Sequence, residues 1–248
     1  MGTPLWLDHA SVQVPELGPA VEHLDRLGLR ATVSPAAPDR HSRAYLHRSY
    51  LEVSARPGGT GWSATSFFLR FEDPMALRAH LDAVGLAYRF GEYEGVDGTW
   101  DDVEIDAASV PFPILVRRTA PPEVARDWPP ALAEPHRCGA RTLAEVHVGV
   151  PSLGEALEAY GRLLGLGPDE MPGSVADPRS GRMRLVLPLA SGRVVLLDGG
   201  TGGVERIVLG VASLEGVDGG SRTRYEGDPV AWLDPGEAFG LELGFAQE

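Results

Sequence analysis

Hydrophobic and polar residues alternate in two similar stretches of the chain, and in both the alternation gives way to a helical spacing. The first stretch, LWLDHASVQVPELGPAVEHLDRLGL, begins at residue 5, and the second, LAEVHVGVPSLGEALEAYGRLLGL, begins at residue 143. Period-two alternation is typical of a strand with one buried face, and apolar residues three and four apart are typical of a helix. Pro15 and Pro151 follow the alternating segments and lack a backbone donor, so each strand is predicted to end there.

Further strand patterns extend each stretch into a larger unit. RAYLHR and SYLEVSA follow the first helix, and RMRLVLPL and GRVVLLDG follow the second, which gives the order β-α-β-β-β in both cases. A looser copy lies between them, in which the helix PMALRAHLDAVGL is flanked by the strands TSFFLRF, DVEIDAAS and FPILVRR. After the second unit, RIVLGVASLEG and AFGLELGF have strand patterns, with little room for a full helix between them.

The chain is therefore predicted to have an α+β fold made of tandem βαβββ modules, four modules in two pairs, of which the last is degenerate. Each pair is expected to form a curled mixed sheet. Residues 1–118 and 141–248 are expected to be the two halves. The segment 119–140 carries five prolines and is expected to link them.

Composition and charge limit the classes of function. The net charge of -13 argues against nucleic acid and against an anionic membrane surface as partners. The chain has no lysine, which excludes Schiff-base and phosphate-loop chemistry that needs one. A single cysteine, Cys138, leaves no internal disulfide, and no apolar stretch approaches the roughly 20 residues that span a bilayer. A cytoplasmic protein, either a monomer or a homodimer, is expected.

Alternation also predicts which side chains face away from the helices. In the first half these are His9, Glu52 and Arg70, while Val12 and Leu69 are expected beneath the helices. Leu7 is expected on the side of His9, and Trp6 on the opposite side. In the second half the polar residues expected on the face away from the helices are Glu145, His147, Asp198 and Glu242. Buried polar groups on such faces must be hydrogen-bonded to other residues, be hydrated, or take part in binding or catalysis.

The stretches LDHASVQVPEL, SYLEVSA, VPFPILVRR and GARTLAEVHVGVPSL resemble the vicinal oxygen chelate superfamily, which includes glyoxalase I, extradiol dioxygenases and bleomycin-resistance proteins. They are most similar to its uncharacterised glyoxalase-like domain proteins. The resemblance implies metal ligands on the first strand of each module and a carboxylate on its last strand. His9 and Glu52 match two such positions, and an imidazole with a carboxylate can hold zinc, iron, manganese or nickel.

Other positions depart from this implied ligand pattern. Ser66 and Leu115 stand at the ligand positions of the second module. In the second half, Glu145 takes the position of His9, with His147 two residues further on, and Leu196 takes the position of Glu52.

Two functions are therefore compared. The first is a glyoxalase-like enzyme of the lyase, isomerase or dioxygenase type, in which His9 and Glu52 hold a divalent metal or act as an acid–base pair on a small organic molecule. The alternative is a metal-free binding or antibiotic-sequestering protein. The amino-terminal half is expected to hold the site, because the last module lacks its helix. The side chains expected to contact the small molecule are Gln13, Tyr50, Ser66, Phe68 and Arg70.

Overall fold

The computed structural model describes residues 4–33, 40–47, 49–59, 61–95, 98–106, 110–119, 135–217, 222–234 and 240–248. Within these ranges the chain forms two eight-stranded sheets and three α-helices. The helices are α1 (Leu17–Arg26), α2 (Pro74–Ala83) and α3 (Leu153–Leu164).

The first sheet contains strands β1 to β8 in the order β2-β3-β4-β1-β5-β8-β7-β6. Their bounds are β1 (Trp6–Val14), β2 (Thr32–Val33), β3 (His41–Tyr45), β4 (Tyr50–Ala55), β5 (Ser63–Arg70), β6 (Tyr88–Gly95), β7 (Gly98–Ile105) and β8 (Ile114–Thr119). β1 pairs parallel with β4 and antiparallel with β5, so the two modules of this half meet at the centre of the sheet.

The second sheet repeats this topology with strands β9 to β16 in the order β10-β11-β12-β9-β13-β16-β15-β14. Their bounds are β9 (Ala140–Val150), β10 (Val175–Ala176), β11 (Met183–Pro188), β12 (Arg193–Asp198), β13 (Gly203–Val211), β14 (Arg222–Arg224), β15 (Val230–Leu233) and β16 (Glu242–Gln247). A short 3-10 helix, Leu214–Gly216, stands where the last module would have its α-helix. The predicted α+β fold of tandem βαβββ modules with a degenerate fourth copy is confirmed.

Local sequence explains where the helices begin. Asp73 accepts hydrogen bonds from the backbone N–H groups of Met75 and Ala76 at the start of α2, and Pro74 follows it. The Ser152 hydroxyl accepts from the N–H of Glu155 at the start of α3, which ends at Gly165 in the left-handed conformation. Such caps satisfy donors and acceptors that a helix end leaves unpaired.

The buried apolar residues of both halves form one continuous core. It contains Val12 and Leu69, which are fully buried, as the alternation predicted, and also the fully buried Val53. β1 contacts β9, and β5 contacts β13. The backbone N–H of Leu7 donates to the carbonyl of Ser191 at 3.0 Å across this contact. The predicted boundaries of the halves stay a prediction, because residues 120–134 of the linker lie outside the described ranges.

Candidate functional site

A β-bulge at Asp8 changes which face of the sheet the side chains of β1 point to. Its neighbours Leu7 and His9 pair with consecutive residues of β5, which leaves Asp8 as an extra residue. A bulge of this kind shifts the alternation by one position. Leu7 therefore lies in the core, and Trp6 lies against Arg70 on the face turned away from the helices, which we call the inner face. The alternation had placed these two residues the other way round, and that prediction was wrong.

His9 is held in one orientation by residues of three strands. Its Nδ1 atom lies 2.7 Å from Oδ1 of Asp8. Its ring lies between those of Tyr50 and Phe68, with ring centroids 4.2 Å and 3.8 Å away and nearly parallel planes. A carboxylate can only accept a hydrogen bond, so Nδ1 carries the proton, and the lone pair of the neutral ring is on Nε2. His9 thus presents a proton acceptor whose orientation is fixed.

Glu52 is tied to residues other than His9. The hydroxyl of Ser11 donates to Oε1 of Glu52 at 3.3 Å, and Nε of Arg43 lies 3.5 Å from Oε2. The charge of Glu52 is therefore offset by Arg43. The predicted acid–base pair of His9 and Glu52 is replaced by two separate pairs, His9 with Asp8 and Glu52 with Arg43.

The side chains expected to contact a small molecule lie on this same inner face. Arg56 donates from Nη1 to Oε1 of Gln13 at 3.2 Å, and Ser66 stands opposite Ser11 in the register of β1 and β5. The inner face of the first sheet is partly accessible, since several of its side chains are only half-buried. These are Trp6, Glu52, Ser66, Phe68 and Arg70.

Asp102 is an inner-face residue that the sequence pattern missed. In the register, β7 and β8 pair Asp102 with Val116, which is buried outside the helix-covered core. Burial raises the pKa of the Asp102 carboxyl above its ordinary value, and the charge of Glu104 raises it further.

Three adjacent strands of the second sheet, β9, β13 and β16, carry polar side chains at positions that are directly opposite one another in the register. Arg206 on β13 pairs in register with His147 of β9 on one side and with Glu242 of β16 on the other. Nε of Arg206 donates to Oε2 of Glu242 at 2.7 Å, and Nη1 donates to Oδ2 of Asp177 at 2.9 Å. The Arg206 side chain is only 4% exposed, so its guanidinium is enclosed between these two carboxylates.

Glu145 and His147 form a second buried pair beside this guanidinium. Nε2 of His147 lies 2.8 Å from Oε2 of Glu145, whose other oxygen lies 2.5 Å from Nη2 of Arg193. Burial alone would raise the pKa of the Glu145 carboxyl, but the hydrogen bond and charge of His147, with the charge of Arg193, lower it below its ordinary value. Glu145 stands opposite Arg193 as His9 stands opposite Tyr50, so Glu145 and His9 occupy corresponding positions.

Asp198 lies away from this cluster. The predicted alternation of β12 placed Leu196 and Asp198 on the inner face, but the register pairs Val195 with His147 and Asp198 with Val150. Oδ1 of Asp198 accepts a hydrogen bond from the backbone N–H of Leu153 at 3.1 Å, at the start of α3. Asp198 is therefore a capping residue on the helix side, and its inner-face assignment was wrong.

The residues present do not fit a metal centre. Among the described residues, no three His, Cys, Asp or Glu side chains converge to hold a metal ion. Glu52 already lies within 4 Å of Arg43, and Glu242 within 4 Å of Arg206. A metal cation beside either carboxylate would be repelled by the adjacent guanidinium. The implied ligand pair of His9 and Glu52 therefore lacks a third ligand among the described residues, and Arg43 already occupies the position beside Glu52.

The inner face of the second sheet is filled by its own side chains. His147, Val195, Arg206 and Trp232 are each at most 3% exposed. Trp232 packs against the edge of the His147 ring at 5.6 Å and beneath the guanidinium of Arg206. The two inner faces thus differ, because the side chains at the centre of the second are more completely buried than Trp6, Ser66 and Phe68 of the first.

Comparison with known proteins identifies a sequence family for most of the chain. The sequence profile of the glyoxalase-like domain family matches residues 7–164. No curated protein matches the sequence. No helix in the described ranges is long and apolar enough to cross a membrane.

Several solved structures share the fold at low sequence identity. A hypothetical protein from Staphylococcus aureus has a TM-score of 0.61 and 9% identity, over 98% of this chain and 99% of that one. The 2,3-dioxygenase LapB from Pseudomonas sp. KL28 has a TM-score of 0.66 and 15% identity, over 100% and 93%. Homoprotocatechuate 2,3-dioxygenase from Arthrobacter globiformis has a TM-score of 0.65 and 13% identity, over 100% and 81%. At these identities the similarity shows the fold alone.

Proposed function

Because the chain belongs to the glyoxalase-like domain family, we propose that it acts on a small organic molecule at the inner face of its first sheet, by proton transfer and without a metal ion. The observation that supports this best is the 2.7 Å contact between Asp8 and His9. A carboxylate that holds one imidazole nitrogen leaves the other as a base of fixed position.

Each neighbour of His9 has a part in this proposal. Asp8 keeps the proton on Nδ1 and would stabilise the imidazolium that forms when Nε2 accepts a proton from the bound molecule. Tyr50 and Phe68 prevent the ring from rotating, because they cover both of its faces. Precise placement of a base contributes to catalysis by removing the cost of orienting it.

Accessibility favours the first sheet over the second. Phe68 and Ser66 are half-buried beside His9, whereas the corresponding polar cluster around Arg206 is enclosed. A small molecule can reach the first inner face without displacing an ion pair of the protein. In the second sheet, the guanidinium of Arg206 is already held by Asp177 and Glu242.

A metal-free binding protein is the second candidate. The observation in its favour is the tight enclosure of His9, which is only 5% exposed between two aromatic rings. Such a stack, with Trp6 nearby, would also suit an aromatic ligand held by shape without any reaction.

Binding and turnover separate the two candidates. Wild-type protein is screened against small organic molecules by thermal shift, because a ligand that binds the folded state raises Tm. Molecules that bind are then incubated with wild type, His9→Gln and His47→Gln, and products are followed by mass spectrometry. We expect product from wild type and from His47→Gln, whose side chain is exposed, but not from His9→Gln. Binding without product in all three would leave the sequestering function, and equal product from His9→Gln and wild type would show that His9 is not the base.

A further inference from the structure

Arg70 is the last residue of β5 and lies on the inner face beside Trp6. The two residues stand opposite each other in the register of β1 and β5. The guanidinium carbon of Arg70 lies 5.3 Å from the centre of the Trp6 ring system, which is a cation–π distance. The side chain is half-buried, and its Nε atom is buried with no hydrogen-bond partner.

No described carboxylate compensates the charge of Arg70. Glu52, on the same face, is paired with Arg43. Asp102 is the nearest inner-face carboxylate in the register, but Val116 of β8 stands between it and Arg70, and the described residues show no ion pair between the two. A cation–π contact does not neutralise a charge, so the guanidinium of Arg70 is partly desolvated with no counter-ion in the described part of the chain.

Comparison with other inner-face arginines shows that an arginine without a nearby carboxylate, such as Arg70, is unusual among the described residues. Five other arginines that the register places on an inner face, and whose side chains the structure describes, each lie within 4 Å of a carboxylate. The chain has an excess of acidic residues, with a net charge of -13, so counter-ions are not scarce. These paired arginines are Arg43, Arg89, Arg184, Arg193 and Arg206.

We infer that Arg70 is the anchor for the carboxylate of a small organic acid, which is the ligand of the first inner face. This inference rests on the proposed function for the location of the ligand, and adds its chemical class. A guanidinium holds a carboxylate by two parallel N–H···O bonds, and such charge-assisted pairs are stronger than neutral hydrogen bonds. The cation–π contact with Trp6 restricts where the guanidinium can lie.

The distance to His9 limits the size of the acid. Arg70 follows Phe68 on the same face of β5, and Phe68 stacks on His9. Same-face neighbours on a strand are about 7 Å apart. A molecule whose carboxylate contacts Arg70 would therefore place an atom several bonds away near the ring of His9. Short organic acids, including those with one aromatic ring, match this span.

Matched acids and amides test the inference. Benzoate and benzamide have the same shape and differ in charge, and inorganic phosphate provides a second type of oxyanion. Their Kd values are measured by calorimetry at constant ionic strength for wild type, Arg70→Gln, Arg70→Lys and the control Arg141→Gln, in which an exposed arginine of β9 is changed. Short aliphatic acids such as pyruvate and succinate complete the set.

We expect wild type and Arg141→Gln to bind at least one carboxylate more tightly than its amide. Arg70→Gln should weaken that binding by roughly ten-fold or more, as expected for the loss of a charge-assisted pair, and leave the amide unchanged. Arg70→Lys should be intermediate, because it keeps the charge but not the planar donor pair. Preferential, Arg70-dependent binding of phosphate over every carboxylate would overturn the assignment to organic acids.

The inference also fails if no acid in the set binds in an Arg70-dependent way, or if acid and amide bind equally. His9→Gln separates it from the proposed function. If His9→Gln retains Arg70-dependent acid binding and wild type forms no product, the acid site stands and the proton-transfer proposal falls. If product forms from neutral molecules and requires His9 but not Arg70, the proposed function stands and the acid site falls.

Discussion

Oδ1 of Asp8 lies 2.7 Å from Nδ1 of His9, although the two residues are neighbours in the chain. Adjacent residues of a regular strand point to opposite faces, so this contact depends on the bulge that leaves Asp8 unpaired with β5. The bulge thus converts a dipeptide into a positioned carboxylate–imidazole pair.

Removal of the Asp8 carboxylate should release the proton of His9 from Nδ1. In Asp8→Ala no acceptor remains at that nitrogen, so we expect the single Nδ1–H form to give way to a mixture of tautomers. The 15N chemical shifts of the His9 ring report this directly. Asp169→Ala, at an exposed position, is the control. Retention of the pure Nδ1–H form in Asp8→Ala would show that the aromatic stack, and not Asp8, selects the tautomer.

Loss of the Asp177 charge should destabilise the second half. Its side chain is 1% exposed and accepts from Nη1 of Arg206 and from Ser180. Breaking a buried ion pair by removing one partner costs about 3–5 kcal/mol, so Asp177→Asn should lower the free energy of unfolding by an amount in that range. Urea denaturation at pH 7 measures it. Asp169→Asn should change the free energy by less than about 0.5 kcal/mol.

The cost of Asp177→Asn should shrink in acid. Burial alone would raise the pKa of Asp177, but the hydrogen bonds from Ser180 and Arg206 lower it below its ordinary value of 3.8. The charge therefore stabilises the folded protein fully above that ordinary value, and the stabilisation is lost as the pH falls through the lower folded-state pKa. Denaturation series from pH 7 to pH 3 should show the curves of wild type and Asp177→Asn converging. Parallel curves would mean that Asp177 keeps an ordinary pKa.

His136 should make stability depend on pH in a higher range. Its Nδ1 accepts from the backbone N–H of Arg30 at 2.9 Å, and its Nε2 lies 2.7 Å from the carbonyl of Tyr45, so the folded protein requires the neutral ring. Burial lowers the pKa of His136 below its ordinary value of 6.5. As the pH falls, His136 is therefore protonated in the unfolded chain before it is protonated in the folded protein. The free energy of unfolding thus decreases as the pH drops below 6.5.

The measurement for His136 is the free energy of unfolding between pH 7.5 and pH 5.5. His136→Gln loses the neutral imidazole, so its difference from wild type should be largest at pH 7.5 and should narrow toward pH 5.5. His47→Gln, at an exposed position, should follow wild type throughout. A constant difference for His136→Gln would contradict the lowered pKa.

The strands and modules could be predicted from sequence because their signal is periodic and local. Val12 and Leu69 lie in the core as the alternation required. Trp6 and Leu7 were assigned to the wrong faces because the bulge at Asp8 inserts one residue into β1. The hydrophobic pattern of the sequence does not reveal this insertion, which reverses the faces of the residues before it. Asp198 was misplaced by a one-residue difference in register, which inverts the whole face of β12.

The charged cluster of the second sheet could not be predicted in the same way. Arg206 meets Asp177 and Glu242, which lie 29 and 36 residues away in the chain. Alternation can place a polar residue on a face, but which partner it meets depends on the register between strands from different modules. Glu52 illustrates the same limit, since its partner is Arg43 on β3 and not the His9 that the resemblance implied.

Residues 136–140, which follow the linker, are expected to pack tightly against the first half at Gly28. This glycine has φ of +81°, and a Cβ atom there would lie 2.7 Å from the backbone nitrogen of Cys138, whose N–H donates to the Gly28 carbonyl at 3.2 Å. Gly58 has a similar φ of +85° but open space around it. Gly58→Ala should therefore cost only the left-handed strain of about 1–2 kcal/mol. Gly28→Ala adds a collision with backbone that cannot rotate away, so it should cost clearly more.

Thermal and urea unfolding of the two glycine variants measure this difference, and the shared backbone strain cancels between them. A larger loss for Gly28→Ala would show that residues 136–140 are packed rigidly onto the end of α1, which the hydrogen bonds of His136 to Arg30 and Tyr45 also favour. Double substitution with His136→Gln sharpens the test, because residues that share one packed contact show non-additive effects. If the two glycine variants lose equal stability, the segment moves aside, and the linkage between the halves rests on the contact of β1 with β9 instead.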